Sequence, residues 1–277
     1  MFCPITNLRR PFKEMSVNWF LSRVRERPPI ARLICLPYAG ASAAVYRMWP
    51  DHVPAGVEVL PVQLAGRGWR LREAPSTDLG RIASDLAVAI ARLGDEPVAV
   101  FGHSMGSWLG LEVVRRLEAL GRAPVCLIAS GRQTPLVGNT QPPMSHLDDV
   151  MFVEEVQRRY GGIPQELLRE REMLALLLPA LRADIAALEK YERVEAPIET
   201  PIHAVVGAVD PVVSADEIAG WAAETRGAFS MRTFGGGHFF FQPDPRPLID
   251  WLCGVLERGL GGSLQGNGVP AMAMATR

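Results

Sequence analysis

PVAVFGHSMGSWLG, residues 97–110, runs an unbroken apolar segment into a helical pattern through the five residues Gly102-His103-Ser104-Met105-Gly106. An apolar run without polar alternation suits a strand buried on both faces, and the amphipathic SWLGLEVVRRLEAL that continues to residue 120 suits a crossover helix. The glycines at 102 and 106 bracket a sharp strand-to-helix turn where a Cβ would crowd the backbone, so the turn lifts Ser104 out with its hydroxyl exposed. Working outward, similar β-branched runs recur as RLICLP (32–37), VEVLPV (57–62), PVCLIAS (124–130), PIHAVVG (201–207) and FSMRTF (229–234), with SDLAVAIARL (84–93) as a further helix. The alternation predicts an α/β chain: a mostly parallel central sheet with helices on both faces.

Residues 140–196 break that rhythm and read as an all-helical insertion. Ser145 is placed to cap a helix reaching Tyr160, Gly161-Gly162 punctuates it, and Pro164 suits the first turn of another. Leu174, Leu177, Leu178, Leu181, Ile185 and Leu188 share one helical face, with Pro179 expected to kink the helix. That face suits either packing on the sheet or the lining of an apolar pocket. The polar, mixed residues 1–16 read as a flexible leader. Residues 17–257 read as the folded domain, and the Gly-rich residues 258–277 as a disordered tail.

Composition narrows the function. Of the 277 residues 48% are apolar and 21% charged, and the formal net charge is −1 with the cations dispersed, which gives no footprint for nucleic acid. Cys3, Cys35, Cys126 and Cys253 are far apart and read as reduced thiols, and the histidines 52, 103, 146, 203 and 238 show no ligand spacing. Neither a metal nor a cofactor is expected. No apolar run is long enough to span a bilayer and no signal peptide is legible, so a cytoplasmic location without membrane contact is expected.

A serine hydroxyl is a poor nucleophile at neutral pH, so Ser104 needs a base and an orienting acid later in the chain. Against this stands the plainer reading that Ser104 only caps the helix beginning near Met105. His238, in FGGGHFFF after the last predicted strand, is the candidate base; His103 and His203 read as structural. Asp210, in GAVDPVV at the carboxyl edge of the strand PIHAVVG, is the candidate acid. Its rival Asp216 falls inside a capping box formed by Ser214 and Glu217. The order Ser104, Asp210, His238 is that of the α/β-hydrolase fold. For the oxyanion, the backbone N–H of Met105 is one candidate donor, and the LPYAGAS loop (36–42) offers Ala39, with Tyr38 second.

With these residues in place, the chain resembles the type II thioesterases, free-standing editing enzymes of polyketide and nonribosomal peptide synthesis, over roughly residues 17–257. The resemblance rests on Trp19-Phe20, LPYAGAS, QLAGRGWRLRE (63–73), GHSMG, YGGIP (160–164), LPALRAD (178–184), GAVDPVV and GGHFF. Two departures are Ala41, where the family usually has a second adjacent glycine, and Ala65, where it usually has proline. The first bears on the geometry of the oxyanion loop, because Ala resists backbone angles that Gly allows.

The resemblance implies hydrolysis of stalled or wrong acyl groups from the phosphopantetheine arm of an acyl or peptidyl carrier protein, with acyl-CoA as a further substrate. It also implies that the helical insertion is a mobile lid over the acyl chamber, with Gly161-Gly162 a candidate hinge. Three alternatives remain at this level. One is a carboxylester hydrolase using the same triad, disfavoured by the absence of an HGGG oxyanion motif; another is an acyltransferase or cyclase. The third is a non-catalytic binding protein on the same scaffold.

Overall fold

The computed structural model describes residues 18–139, 141–163, 165–262 and 264. The predicted leader, most of the predicted tail, Cys3 and Pro164 lie outside the described residues. Among these residues six strands form where the sequence runs predict them: β1 (Ala31–Leu36), β2 (Val57–Pro61), β3 (Val98–His103), β4 (Cys126–Ser130), β5 (Ile202–Gly207) and β6 (Phe229–Phe234). They hydrogen-bond in the order β2-β1-β3-β4-β5-β6, and every pairing is parallel. Phe20 adds an isolated antiparallel bridge to Val62.

Among the described residues seven α-helices accompany the sheet: α1 (Leu79–Ala91), α2 (Met105–Ala119), α3 (Asp149–Tyr160), α4 (Gln165–Arg169), α5 (Arg171–Glu189), α6 (Ala215–Ile218) and α7 (Arg246–Gly259). Alternate residues of the central strands feed two cores. Ile34, Val100 and Leu127 pack with α1 and α2 on one face, while Leu33, Phe101 and Ile128 pack with Leu248, Leu252 and Leu256 of α7 on the other. Strands buried on both faces are therefore apolar at successive positions, which is why their sequence shows no alternation.

Two local expectations are corrected. Ser145 does not cap α3. Asp148 does, accepting the Met151 N–H at 2.9 Å, while Ser145 is drawn to the Glu189 carboxylate of α5. The predicted tail begins too early, because α7 extends to Gly259. Helix α5 runs from Arg171 to Glu189 with Pro179 inside it at an exposed position.

The order of the sheet reverses between β1 and β3, since the chain first builds outward to β2 and then returns past β1. Crevices at such switch points, beyond the carboxyl ends of the strands, are where open α/β sheets bind ligands. Leu36 and His103 end the two strands there, so the LPYAGAS loop and Ser104 open onto one crevice.

The turn at Ser104 confirms why glycines stand at 102 and 106. A Cβ on Gly102 would sit 1.9 Å from the Gly106 carbonyl oxygen, and one on Gly106 would sit 2.5 Å from that of Leu36. Both obstacles are backbone, so neither can swing aside. Gly102→Ala is expected to cost about 2 kcal/mol or more in a chemical denaturation series, because the backbone itself must shift. Gly235→Ala, whose Cβ would meet nothing within 4 Å, is expected to stay within about 0.5 kcal/mol.

Candidate active site

Ser104 is the single non-glycine residue with positive φ among the described residues, at φ 53° and ψ −116°. The turn is braced from β4: the Ser104 N–H donates to the Ser130 carbonyl at 2.8 Å, and the Ser107 hydroxyl lies 2.9 Å from the carbonyl oxygens of both Gly102 and Ser130. The Ser104 side chain makes no capping hydrogen bond to α2, so the helix-cap reading of this serine fails. At 7% exposure it lines a cavity of about 160 Å³ together with His238, Tyr38 and Ala39.

His238 arrives on the loop after β6, 4% exposed, and its Nδ1 lies 2.9 and 3.1 Å from the two carboxylate oxygens of Asp210. An ionised carboxylate only accepts, so this pairing puts the imidazole proton on Nδ1 and leaves Nε2 as the basic nitrogen. Asp210 is itself fixed by the Val212 N–H, which donates to its Oδ1 at 2.8 Å. The acid and histidine loops are sewn together by the Ala208 and Val209 N–H groups, which donate to the carbonyls of Phe234 and Gly236. Gly207 permits that approach, since a Cβ there would meet the Gly237 carbonyl oxygen at 2.2 Å. Asp216 stays apart in the capping box of α6, where the Ser214 side chain and Glu217 satisfy each other's backbone as the sequence predicts.

No direct hydrogen bond joins Ser104 and His238 among the described residues; such contacts are often long without substrate and tighten in the complex. The backbone N–H groups of Ala39 and Met105 likewise have no protein acceptor among those residues, whereas the neighbouring Gly40 N–H is committed to Asp184 at 2.7 Å. Ala41 does not distort the loop. The positive φ falls at Gly40, at 76°, and Ala41 is not in the left-handed region, so the backbone angles that alanine resists are not required of it.

All six apolar residues picked out on α5, from Leu174 to Leu188, line the cavity. Gly162 roofs it against the histidine loop, its Cα so close to Phe239 that a Cβ would lie 2.6 Å from the ring. Sequence reasoning missed Arg132. This residue lines the cavity at 3% exposure, stacks its guanidinium 4.3 Å from the Trp108 ring and donates to Asn139 at 2.7 Å. Its position two residues past the carboxyl end of β4 was the available signal.

Among the described residues no group of three or more His, Cys, Asp or Glu side chains is arranged to hold a metal ion, and no helix is long and apolar enough to cross a membrane. Cys35 and Cys126 are buried free thiols, and burial pushes Cys126 up to about 12.

The Thioesterase domain family model matches residues 31–247. The gramicidin S biosynthesis protein GrsT of Aneurinibacillus migulanus is 33% identical over 242 residues, covering 87% of this chain and 94% of that protein. Thioesterase PikA5 of Streptomyces venezuelae is 36% identical over 235 residues, covering 83% of each. Among solved structures, the type II thioesterase BorB from the borrelidin biosynthetic cluster superposes with a TM-score of 0.77 at 34% identity, covering 87% of this chain and 97% of that one.

His103 sets a pH dependence. It is fully buried with Nδ1 2.9 Å from the Ser130 hydroxyl, Nε2 unpartnered, and its ring 4.8 Å from that of His238. Burial first, and the His238 charge second, push it well below its ordinary 6.5. The unfolded chain then binds a proton that the folded one refuses. Stability is complete above pH 6.5 and is expected to fall as pH drops below it, by up to about 1.4 kcal/mol per unit for this group. Denaturation series at stepped pH should show that slope, and His103→Gln should flatten it.

Proposed function

The chain belongs to the thioesterase domain family, and from that premise we propose that Ser104, His238 and Asp210 are the triad with which this serine hydrolase cleaves acyl thioesters on carrier proteins. The observation that carries the reading is Asp210 fixing His238 at the wall of the same apolar cavity into which Ser104 opens. His238 Nε2 takes the Ser104 proton as Oγ attacks the thioester carbonyl, and Asp210 stabilises the imidazolium. The developing oxyanion lies between the N–H groups of Ala39 and Met105, which point at charge that forms only in the transition state.

Collapse expels a thiolate, whose conjugate acid has a pKa of about 8.5, so the leaving group departs more easily than an amine and takes its proton from the imidazolium. Water, deprotonated by His238, then attacks the acyl-enzyme carbonyl; the bond from the acyl carbon to Ser104 Oγ breaks, Oγ takes the proton back from the imidazolium, and the free acid is released. The leaving thiol in this proposal is the phosphopantetheine arm of an acyl or peptidyl carrier protein, with acyl-CoA as a smaller variant bearing the same arm. GrsT is named for gramicidin S biosynthesis and BorB for the borrelidin biosynthetic cluster, which supports a role in such assembly; in this proposal the task is editing, in the cytoplasm beside a polyketide or nonribosomal peptide synthase.

The cavity bounds the acyl group. At about 160 Å³ it compares with the roughly 150 Å³ space that accepts one benzene, which favours acyl chains of about six carbons or fewer while α3 to α5 remain as they are placed. Those helices form the lid in this reading, with Gly161 and Gly162, both at positive φ, as its hinge.

Incubation with carrier proteins bearing short acyl chains, followed by intact-protein mass spectrometry, is expected to show loss of the acyl mass. Ser104→Ala should lower turnover by about 10⁴–10⁶-fold while leaving the thermal transition in place. Inertness there with turnover of simple oxygen esters would instead make the protein an esterase. Leu177 is half-buried on the cavity wall, so Leu177→Trp should depress octanoyl relative to acetyl turnover by about tenfold or more.

A further inference from the structure

Behind the loop that carries Ala39 lies an ion pair withdrawn from water. Arg67 and Asp184 are 2% and 1% exposed, and they meet through two parallel contacts, Nη1 with Oδ2 and Nη2 with Oδ1, the latter at 2.7 Å. Desolvating two charges costs several kcal/mol each and is recovered only when further hydrogen bonds satisfy both groups. Here they do. Asp184 Oδ2 accepts the Gly40 N–H at 2.7 Å, and Arg67 donates from Nε to the Ala65 carbonyl at 3.2 Å and from Nη1 to the Ala41 carbonyl at 3.4 Å.

The pair thus grips the LPYAGAS loop on both sides of Gly40, at the N–H of Gly40 and the carbonyl of Ala41, from two distant parts of the chain. Arg67 comes from the connection after β2 and Asp184 from α5. One turn earlier on α5, Leu181 presses on Gly40 so closely that a Cβ there would lie 2.9 Å from Leu181 Cδ1. Gly40 at φ 76° has no side chain to hold it and would otherwise sample many conformations.

We propose that Arg67 and Asp184 are positioning residues for the oxyanion hole. By fixing the Gly40 peptide, the Asp184 carboxylate fixes the orientation of the preceding residue and aims the Ala39 N–H at the developing oxyanion. This rests on the reading of Ala39 as a donor to the tetrahedral intermediate. Neither residue touches substrate. Each acts through the loop, so loss of the grip weakens transition-state stabilisation and leaves ground-state binding of the acyl chain largely intact.

The test compares Asp184→Asn with the double variant Arg67→Met/Asp184→Leu, using propionyl-N-acetylcysteamine thioester and p-nitrophenyl propionate on folded protein checked by circular dichroism and thermal unfolding. The double variant removes both charges together, which buried pairs often tolerate without loss of stability. Its kcat is expected to fall about 10–10²-fold, approaching the loss of a whole oxyanion donor, with KM within about threefold of wild type. Asp184→Asn keeps an oxygen for the Gly40 N–H but leaves Arg67 unpaired, so it should lose about three- to tenfold in kcat. Affinity for a trifluoromethyl ketone, which forms the tetrahedral adduct, should decline in step with kcat.

A folded double variant with wild-type kcat, or a loss confined to KM, overturns the proposal. Should the double variant not fold, wild-type kcat and ketone affinity in Asp184→Asn overturn it alone. Wild-type protein inert toward both substrates would remove the triad reading and this inference with it, an outcome distinct from active wild type with indifferent variants.

Discussion

Ser104 sits in a backbone conformation that costs on the order of 1–3 kcal/mol and that persists only where its surroundings leave no alternative. Two glycines make it possible, because backbone from α2 and from the end of β1 occupies the space that Cβ atoms at 102 and 106 would need. The same closeness presses the start of α2 against the end of β1. The LPYAGAS loop therefore leaves the sheet beside the serine. One steric constraint thus sets the helix position, the exposure of the hydroxyl and the location of the neighbouring loop. The glycine at the end of β5 repeats the device, allowing the histidine loop to cross where Gly207 has no side chain. Close backbone approach, rather than loop flexibility, is what Gly102, Gly106 and Gly207 supply.

Electrostatics complete what sterics begin. His238 faces a carboxylate with both lone-pair oxygens in reach, while His103, 4.8 Å away, has a hydroxyl and no acid. Two imidazoles in one apolar pocket are thereby made unequal: Asp210 fixes the tautomer of one, and burial keeps the other uncharged. A neutral His103 does not compete for the proton that the proposed mechanism assigns to His238. Arg132 adds a buried cation to the cavity wall, spread over the Trp108 face and tied to Asn139. That arrangement offsets part of the cost of burying the charge; Nε has no partner among the described residues, and burial lowers the guanidinium's pKa.

Strands β1 to β5 were legible because each is a largely apolar run bounded by Gly, Pro or polar residues, and the members of the proposed triad stood out because each follows the carboxyl end of a strand. Ser104 had its two glycines, Asp210 its place after PIHAVVG, and His238 its glycine loop. What stayed hidden depends on contacts between residues far apart in sequence. Asp148 rather than Ser145 caps α3 because Glu189, more than forty residues on, claims the serine. Arg67 and Asp184 were visible only as members of QLAGRGWRLRE and LPALRAD; neither motif announces that the other is its partner across 117 residues. Ala41 looked like a defect because the sequence does not say which residue of the loop takes the positive φ.

In the proposed mechanism, helix α5 is the element where substrate shape and transition-state geometry meet. Its leucine stripe lines the cavity, while Leu178, Ile185 and Leu188 also join the core on the α1 and α2 side of the sheet, so packing and lining are shared by one face. Yet the same helix sends Leu181 against Gly40 and Asp184 onto its N–H. A helix that only covered a pocket would have no need to carry a buried charge to the loop beside the serine. On the proposed reading, an acyl chain too bulky for the cavity displaces α5 and with it the support of Gly40. Discrimination between acyl groups is then expressed in the chemical step as well as in binding, since the interaction weakened is one made in the transition state.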